Sequence, residues 1–300
     1  MTPAAASGPV ADFDEETSAE LVNASWADAT DERSRELLSG LVSHLHAFVK
    51  ETEPTHEEWE RALRFLTDVG QKCDDTRQEF ILLSDVLGVS MLVDAINNRK
   101  PQGATESTVL GPFHLVDSPA RTLGADIALD HVGEPCVVAG TVRSIDGTPV
   151  PGALVDVWQA NGDGFYDVQQ PGVQPELNLR GLFTTDDEGR YWFRSVVPRH
   201  YPIPQDGPVA ALLRATGRHP YRPAHIHFIG GARGHQPVTT HLFLDGSPYL
   251  DSDAVFGVKR SLVTPVREVR DAGRAAAFGV EAPFRLIEFD LVLTPDTSAS

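Results

Sequence analysis

The sequence predicts a mainly β protein, a β-sandwich preceded by an N-terminal α-helical region. Up to about residue 100, apolar residues recur at three- and four-residue steps, the spacing of amphipathic helices. From about residue 135, short β-branched runs alternate with Gly, Pro and Asp turns and show no helices between them, which is typical of a β-sandwich. A polar turn cluster at residues 97–103 separates the two patterns. We therefore expect a helical region over residues 1–104 and a sandwich over residues 105–300.

Three helices are expected in the N-terminal region, after about 20 Ala-, Ser- and acid-rich residues for which we expect little order. The first helix carries an apolar stripe of Leu37, Leu38, Leu41, Leu45 and Phe48. The second begins at a capping box over residues 55–58. Its apolar residues, expected to face inward, are Trp59, Leu63, Leu66 and Val69. The third begins at a second capping box over residues 76–79 and ends or kinks near Gly88. These stripes fit an intrachain bundle and a contact with a second subunit equally well.

The expected strands follow the β-branched runs. They cover residues 137–142, 153–158, 182–185, 191–193, 225–228, 239–244 and 284–293. A hairpin turn is expected at Asp146-Gly147. Residues 182–185 and 191–193 are expected to pair with each other across a turn at residues 187–189.

The charge balance excludes two classes of partner. Asp and Glu number 43 against 25 Lys and Arg, a formal net charge of −18. This excess repels nucleic acid and anionic membrane surfaces, so neither is expected as a partner. No apolar run reaches the ~18 residues of a membrane span, and no secretory signal is visible. Two cysteines are too few for a disulfide framework or a zinc cluster. We expect a cytoplasmic protein.

One predicted strand carries two histidines, His225 and His227, one residue apart. Because strand side chains alternate between faces, both imidazoles point the same way while Ile226 points opposite. Two imidazoles on one strand face form half of a metal site, although such a pair also occurs on solvated strand faces. The neighbouring residues decide between these interpretations.

Two loop tyrosines precede the histidine pair along the chain. Tyr166 lies in a turn-rich loop after the 153–158 strand, and Tyr201 lies in a loop stiffened by prolines. Two phenolates and two imidazoles would combine hard anionic oxygen with nitrogen, a combination that stabilises Fe(III) over Fe(II). A phenol loses its proton readily on a trivalent cation. The order of these residues therefore favours a ferric site.

Several long motifs, in order, resemble the intradiol ring-cleavage dioxygenases, a family typified by catechol 1,2-dioxygenase. They cover residues 105–113, 157–167, 201–204 and 221–228, and the likeness extends from about residue 30 to 295. The resemblance implies a catalytic β-sandwich with an N-terminal helical region through which two subunits form a homodimer. It also implies a phospholipid in the groove between the helices of the dimer, which the sequence alone does not decide.

The resemblance assigns roles residue by residue. The iron ligands fall on Tyr166, Tyr201, His225 and His227. A catechol and O2 are the implied substrates, and Tyr201 is the ligand that the incoming catechol displaces. Arg222 matches the family arginine that lies against the substrate ring, where a fixed cation stabilises developing negative charge. His241 lies where the catechol branch carries glutamine near the iron, and is a candidate for indirect support of the site.

The segment 249–259 is most similar to the branch of the family that cleaves hydroxyquinol, benzene-1,2,4-triol, to 3-hydroxy-cis,cis-muconate. The implied substrate-binding residues are Leu82, Asp85, Val109, Leu110, Gly111, Pro112, Phe113, Ile203, Pro204, Arg222 and Val255. Asp85 is the candidate partner of the third hydroxyl, although it fits a helix-capping role equally well. Cleavage of catechol or a chlorocatechol to a cis,cis-muconate is the alternative.

Two other classes account for parts of the pattern. A cupin-type ferrous oxygenase also uses two histidines one residue apart, but usually adds a glutamate shortly afterwards, and nothing acidic lies between His227 and Asp245. A non-catalytic sandwich module would explain the strands without explaining the two loop tyrosines. The resemblance therefore favours the intradiol family.

Overall fold

The computed structural model describes residues 12–75 and 77–296, and the chain divides into two compact units after Thr67. The division falls inside a helix and earlier than the boundary expected at 104/105. Helices after the division pack within the second unit. There the buried carboxylate of Glu79 accepts a hydrogen bond from the backbone N–H of Val209, at 3.2 Å.

The first unit contains α1 (Ser18–Ala24), α2 (Glu32–Thr52) and most of α3 (His56–Gln71). α1 begins inside the first 20 residues, for which the sequence indicated little order. The indole N–H of Trp26, in the turn after α1, donates to the Ser39 hydroxyl of α2 at 3.1 Å. The capping box expected at α3 is present, with Thr55 and Glu58 each accepting from the other's backbone N–H.

The apolar stripes of α2 and α3 are exposed in this chain. Their members, which are 45–58% exposed, are Leu37, Leu38, Leu41, Leu45, Phe48, Trp59, Leu63 and Leu66. The expectation that α3 turns its apolar residues inward is therefore wrong except at Val69, which is fully buried. A helix stripe is buried only where another element covers it.

The third predicted helix forms as two helices in the second unit, α4 (Glu79–Val86) and α5 (Val89–Asn97). Gly88 separates them with a φ of +73°, a conformation that glycine adopts without strain. The capping box expected at residues 76–79 includes Thr76, which lies outside the described residues.

Two sheets pack face to face and confirm the β-sandwich. The first is organised around β1 (Pro135–Ser144), which pairs with β4 (Arg190–Val196). Its other strands are β11 (Val266–Val269), β12 (Phe284–Glu288), β13 (Leu291–Pro295) and β8 (His235–Gln236). The second sheet contains, in order, β10 (Val263–Thr264), β9 (Val238–Leu244), β7 (His225–Gly231), β2 (Leu154–Gln159) and β3 (Arg180–Thr184).

The hydrophobic core lies between these sheets because strand side chains alternate. Val138 and Phe193 from the first sheet join Val155 and Phe228 from the second in one buried cluster. Two short strands, β5 (Tyr201–Pro202) and β6 (Tyr221–Arg222), form a separate ladder. Among the helices of residues 12–75 and 77–296, none is long and apolar enough to cross a membrane.

Three local expectations are wrong. β3 and β4 do not pair with each other, because the turn between them carries the chain from the second sheet to the first. Two short helices, α6 (Pro208–Ala215) and α7 (Ala272–Phe278), interrupt the strand pattern. The last predicted strand is divided into β12 and β13, which both run parallel to β1.

Candidate active site

The two histidines lie side by side on β7. Hydrogen-bonded ladders to β2 and β9 fix the backbone of this strand at both edges. Alternation turns His225 and His227 to one face, with ring centroids 4.9 Å apart, and both side chains are buried. Nδ1 of His225 donates to the carbonyl oxygen of Pro223 at 2.7 Å. Nε2 of His225 is therefore left with a lone pair for a metal.

The two tyrosines reach the same place from loops. Tyr166 directly precedes a 3₁₀ turn at Asp167–Gln169, and Tyr201 begins β5, where it pairs with Arg222 of β6. The two loops pass closely at Gly164, which has a φ of +89°. A Cβ at this position would lie 3.1 Å from Cβ of Tyr201. Glycine thus permits the approach that brings the two phenols together.

Four side-chain atoms converge in the interior. Oη of Tyr166 lies 3.0 Å from Nε2 of His227 and 3.5 Å from Nε2 of His225. Oη of Tyr201 lies 3.3 Å from both Oη of Tyr166 and Nε2 of His225. The chain therefore brings together the four side chains that the sequence indicated as candidate ligands.

The chemistry of this set fits a metal ion. Burial lowers the pKa of His225 and of His227 well below the ordinary value, so both imidazoles are in the neutral form that binds metals. Burial also raises the pKa of both Tyr166 and Tyr201, so the phenols do not ionise unaided. A bound cation stabilises deprotonated ligands. Two phenol oxygens and two imidazole nitrogens are suitable iron ligands.

A buried cation lies beside the four atoms. Nη1 of Arg222 is 3.3 Å from Nε2 of His225. Its guanidinium pairs with Asp253 through contacts of 3.1 and 3.3 Å, and both side chains are buried. Asp253 also accepts the backbone N–H groups of Val255 and Gly257. Although burial alone would lower it, the pKa of Arg222 is raised by Asp253 and the tyrosines, so the positive charge is permanent.

The segment 109–113 contacts two of the candidate ligands. A Cβ at Gly111 would lie 2.7 Å from Cε1 of His227, so the backbone lies directly against that ring. The ring of Phe113 lies 4.6 Å from that of Tyr166, centroid to centroid. The other predicted substrate contacts of this segment are the half-buried Val109 and the exposed Leu110 and Pro112.

The remaining predicted substrate contacts come from α4 and two loops. Asp85 on α4 is buried, and this burial raises the pKa of its carboxyl. A hydrogen bond with Ser90 and the charge of Arg222 lower that pKa, whereas the charge of Asp253 raises it further. This carboxyl therefore lies within electrostatic reach of the Arg222–Asp253 pair. The others are the buried Ile203 and Val255 and the half-buried Leu82 and Pro204.

A second buried ion pair supports the Tyr166 loop. Arg180 on β3 donates to Asp167 through three contacts of 2.6 to 3.0 Å and to the carbonyl oxygen of Phe113 at 2.7 Å. It therefore ties the residue after Tyr166 to the segment 109–113. Sequence reasoning missed this pair. Arg180 precedes the strand expected at residues 182–185, and nothing in the sequence indicates that it is buried or which acid pairs with it.

Two more side chains surround His227. Trp158, expected only as a core residue, stacks on its ring with a centroid distance of 4.6 Å and an interplanar angle of 12°. His241, opposite it on β9, lies 4.1 Å away and is fully buried. Nδ1 of His241 forms a hydrogen bond with the Thr108 hydroxyl. His225, His227 and His241 each offer a nitrogen atom, and the three atoms lie within 4.8 Å of one another.

Comparison with protein families matches almost the whole chain. Residues 31–105 match the family model described as the catechol dioxygenase N terminus, and residues 115–295 match the one described as dioxygenase. The second range contains all four converging residues.

Individual proteins similar to this chain are named as dioxygenases of the same kind. The chain is 56% identical to a hydroxyquinol 1,2-dioxygenase of Rhizobium sp. (strain MTP-10005), with 94% of this chain and 96% of that protein covered. It is similar to the crystal structure of a hydroxyquinol 1,2-dioxygenase from Pseudomonas putida DLL-E4, with a TM-score of 0.89, 46% identity and coverage of 94% and 99%. For a catechol 1,2-dioxygenase of Acinetobacter sp. ADP1, the TM-score is 0.81, the identity 29% and both coverages 96%. The chain belongs to the family of intradiol ring-cleavage dioxygenases, which implies a non-haem iron centre.

Proposed function

We propose that this protein is a non-haem Fe(III) dioxygenase that cleaves hydroxyquinol with O2 to 3-hydroxy-cis,cis-muconate, the enol of maleylacetate. The observation that carries the proposal is the convergence of four donor atoms from Tyr166, Tyr201, His225 and His227 in a chain of this family. These residues are the proposed iron ligands. Both oxygen atoms of O2 enter the product, so the reaction balances without an external reductant.

The proposed ferric state rests on the ligand chemistry. Two phenolates supply hard anionic oxygen, which favours Fe(III) over Fe(II). Bound there, ferric iron would act as a Lewis acid that withdraws electron density from a catecholate and makes its ring reactive toward O2.

Side chains of the protein would orient the diol, stabilise its negative charge and accept its proton. Arg222 is proposed to lie against the substrate ring and stabilise negative charge that develops there, because Asp253 holds its guanidinium in place. Tyr201 is proposed to accept one proton of the incoming diol at Oη. Burial raises the pKa of Tyr201, which favours the protonated phenol, although the Arg222 cation opposes this effect.

The proposed substrate follows from Asp85 and from the relatives. A third ring hydroxyl needs a hydrogen-bond partner once buried, and the buried carboxylate of Asp85 on α4 can accept a hydrogen bond from it. A site built around such a bond rejects an analogue that lacks the hydroxyl, because its own polar group is then left unpaired. The names of the relatives from Rhizobium sp. and Pseudomonas putida support hydroxyquinol over catechol.

The proposed assembly is a homodimer through the N-terminal helices. α2 and α3 each expose an apolar stripe, which is unusual for a monomer and is expected where a second copy covers it. A phospholipid acyl chain in the groove between two such stripes is proposed as a further partner.

Two measurements test the function. Purified protein loaded with iron is expected to absorb visible light, because ferric phenolate is coloured, and to consume O2 fastest with hydroxyquinol among hydroxyquinol, catechol, chlorocatechols and protocatechuate. A higher kcat/KM for catechol or a chlorocatechol would contradict the proposed substrate. A colourless iron-loaded protein would contradict the tyrosine ligands.

A further inference from the structure

A single guanidinium joins two segments that flank the site. Nη1 of Arg218 donates to the carbonyl oxygen of Val86 at 2.6 Å, and Nη2 donates to the carbonyl oxygen of Ala254 at 3.0 Å. Val86 is the last residue of α4, and Ala254 belongs to the loop at residues 253–257. Arginine suits this bridge because its planar fork presents several donors in fixed directions.

Phe256 adds a second connection between the same segments. The Arg218 guanidinium carbon lies 4.8 Å from the centre of the Phe256 ring. On the α4 side, a Cβ at Gly88 would lie 3.4 Å from that ring. Phe256 has a φ of +59° and is 52% exposed, so its position is not fixed by burial. We refer to Arg218, Phe256 and the carbonyl groups of Val86 and Ala254 as the Arg218 clamp.

The clamp holds the chain neighbours of two proposed substrate contacts. Asp85 precedes Val86 on α4, and Val255 follows Ala254 in the loop. On its other side this loop carries Asp253, which holds Arg222 and accepts the backbone N–H of Val255. The clamp therefore ties the backbone beside Asp85 to the backbone beside Val255.

We propose that Arg218 is a specificity-determining positioning residue, which sets the distance between Asp85 and Val255 and so favours diols that carry a third hydroxyl over unsubstituted diols. The inference rests on the proposed function. Each of its two Nη groups donates to a backbone carbonyl rather than to a side chain of the site, so Arg218 acts through the residues it holds. Displacement of a hydrogen-bonding group by a fraction of an ångström affects the substrate that needs that bond more than one that does not.

The test compares Arg218→Met with Arg214→Met in iron-loaded, full-length enzyme. Arg214 is an exposed arginine of the last turn of α6 and serves as the matched control. For Arg218→Met we expect the KM for hydroxyquinol to rise about tenfold, with a smaller change for catechol, so the ratio of the two kcat/KM values falls. Arg214→Met should keep the parent ratio. Millimolar methylguanidinium should partly restore the ratio in Arg218→Met, a rescue that general destabilisation would not show.

An unchanged ratio in Arg218→Met, or an equal loss for both substrates, would overturn the proposal. If that variant does not fold, Phe256→Leu removes the ring and leaves both carbonyl bonds available. A smaller fall in the same ratio is then expected, and no fall would overturn the proposal.

The parent enzyme tests the proposed function separately, through its own ratio for the two substrates. If the parent prefers catechol, the proposed substrate is wrong, yet the clamp is still tested by the change of ratio in Arg218→Met. If the parent cleaves no diol, hydrogen exchange tests the clamp instead. The amides of residues 253–257 should exchange faster in Arg218→Met than in Arg214→Met, and equal rates would overturn it.

Discussion

The backbone of Gly111 lies against the imidazole of His227, so closely that a Cβ on the glycine would sit 2.7 Å from Cε1 of the ring. Real Cβ atoms do not approach a ring carbon this closely, so any larger residue must displace either the segment 109–113 or the histidine. His227, a proposed ligand, and the segment 109–113 can therefore both keep their positions only if residue 111 has no side chain.

Gly111→Ala is expected to lower iron content and activity severely. The φ of +80° at Gly111 adds backbone strain of about 1 kcal/mol, and the clash adds about 1–3 kcal/mol of overpacking. Gly234→Ala is the control, because Gly234 has a φ of +77° and open space around it. Iron analysis and thermal unfolding measure the difference. Equal effects of both substitutions would show that strain alone, without the contact to His227, accounts for the loss.

His225→Ala should abolish stable iron binding, because one of four proposed ligands is lost. Tyr201→Phe should retain more iron, since this ligand is the one expected to leave during turnover, but should lose most activity. His44→Ala, at an exposed histidine of α2, should change neither. Iron content, visible absorption and O2 uptake measure the three variants. Full activity in Tyr201→Phe would remove that residue from the mechanism.

Asp85→Ala is expected to reduce the difference in kcat/KM between hydroxyquinol and catechol, because it lowers kcat/KM for hydroxyquinol more than for catechol. The pH dependence gives a second measurement. Because burial raises the pKa of Asp85, its carboxylate takes up a proton at a higher pH than an ordinary carboxyl as the pH falls. As the pH falls, the preference for hydroxyquinol should therefore begin to decline at a pH above the range in which ordinary carboxyl groups titrate. Asp85→Asn should show no such decline, and the same decline in this variant would assign it to another group.

Removal of Arg180 should destabilise the fold strongly. Arg180→Met leaves the buried carboxylate of Asp167 without its charge partner, a change worth about 3–5 kcal/mol. The matched control is Arg190→Met, whose ion pair with Asp186 involves a largely exposed arginine and is worth less than about 1 kcal/mol. Urea unfolding compares the two. Similar losses would mean that Arg180 is not needed to hold the Tyr166 loop.

A charge on the apolar stripe of α2 should disrupt the proposed dimer. Leu41→Glu and Leu45→Glu are expected to give monomers or aggregates, because a carboxylate in an apolar contact is left without a partner. Lys50→Glu places the same side chain at an exposed position outside the stripe and should not change assembly. Light scattering measures the mass. A dimer unaltered in both leucine variants would exclude this stripe as the contact.

Short-range sequence patterns predicted the features that depend on nearby residues, such as strand faces and helix caps. The alternation along β7 correctly places His225 and His227 on one buried face, and the capping box at Thr55 forms as expected. These features depend on neighbours within a few residues. The order of the tyrosine and histidine motifs along the chain is enough to indicate the family.

Long-range pairing could not be read from the same patterns. The turn between β3 and β4 looks like a hairpin, yet the strands join different sheets, because burial against the opposite sheet decides the outcome. Similarly, Arg222 signals the need for an anion, but its partner Asp253 lies 31 residues later. The stripe on α2 is exposed because no element within residues 12–75 and 77–296 covers it, and helical spacing alone does not tell whether an element will.

β1 has consequences for the order in which the chain can fold. Its parallel neighbours β12 and β13 come from residues 284–295, far along the chain from residues 135–144. The strand with both histidines, by contrast, pairs with β2 and β9, which are complete by Leu244. During synthesis, the histidine-bearing ladder can therefore form while β1 still lacks two of its neighbours. Closure of long loops is slow, so completion of the sheet around β1 is expected to limit the folding rate.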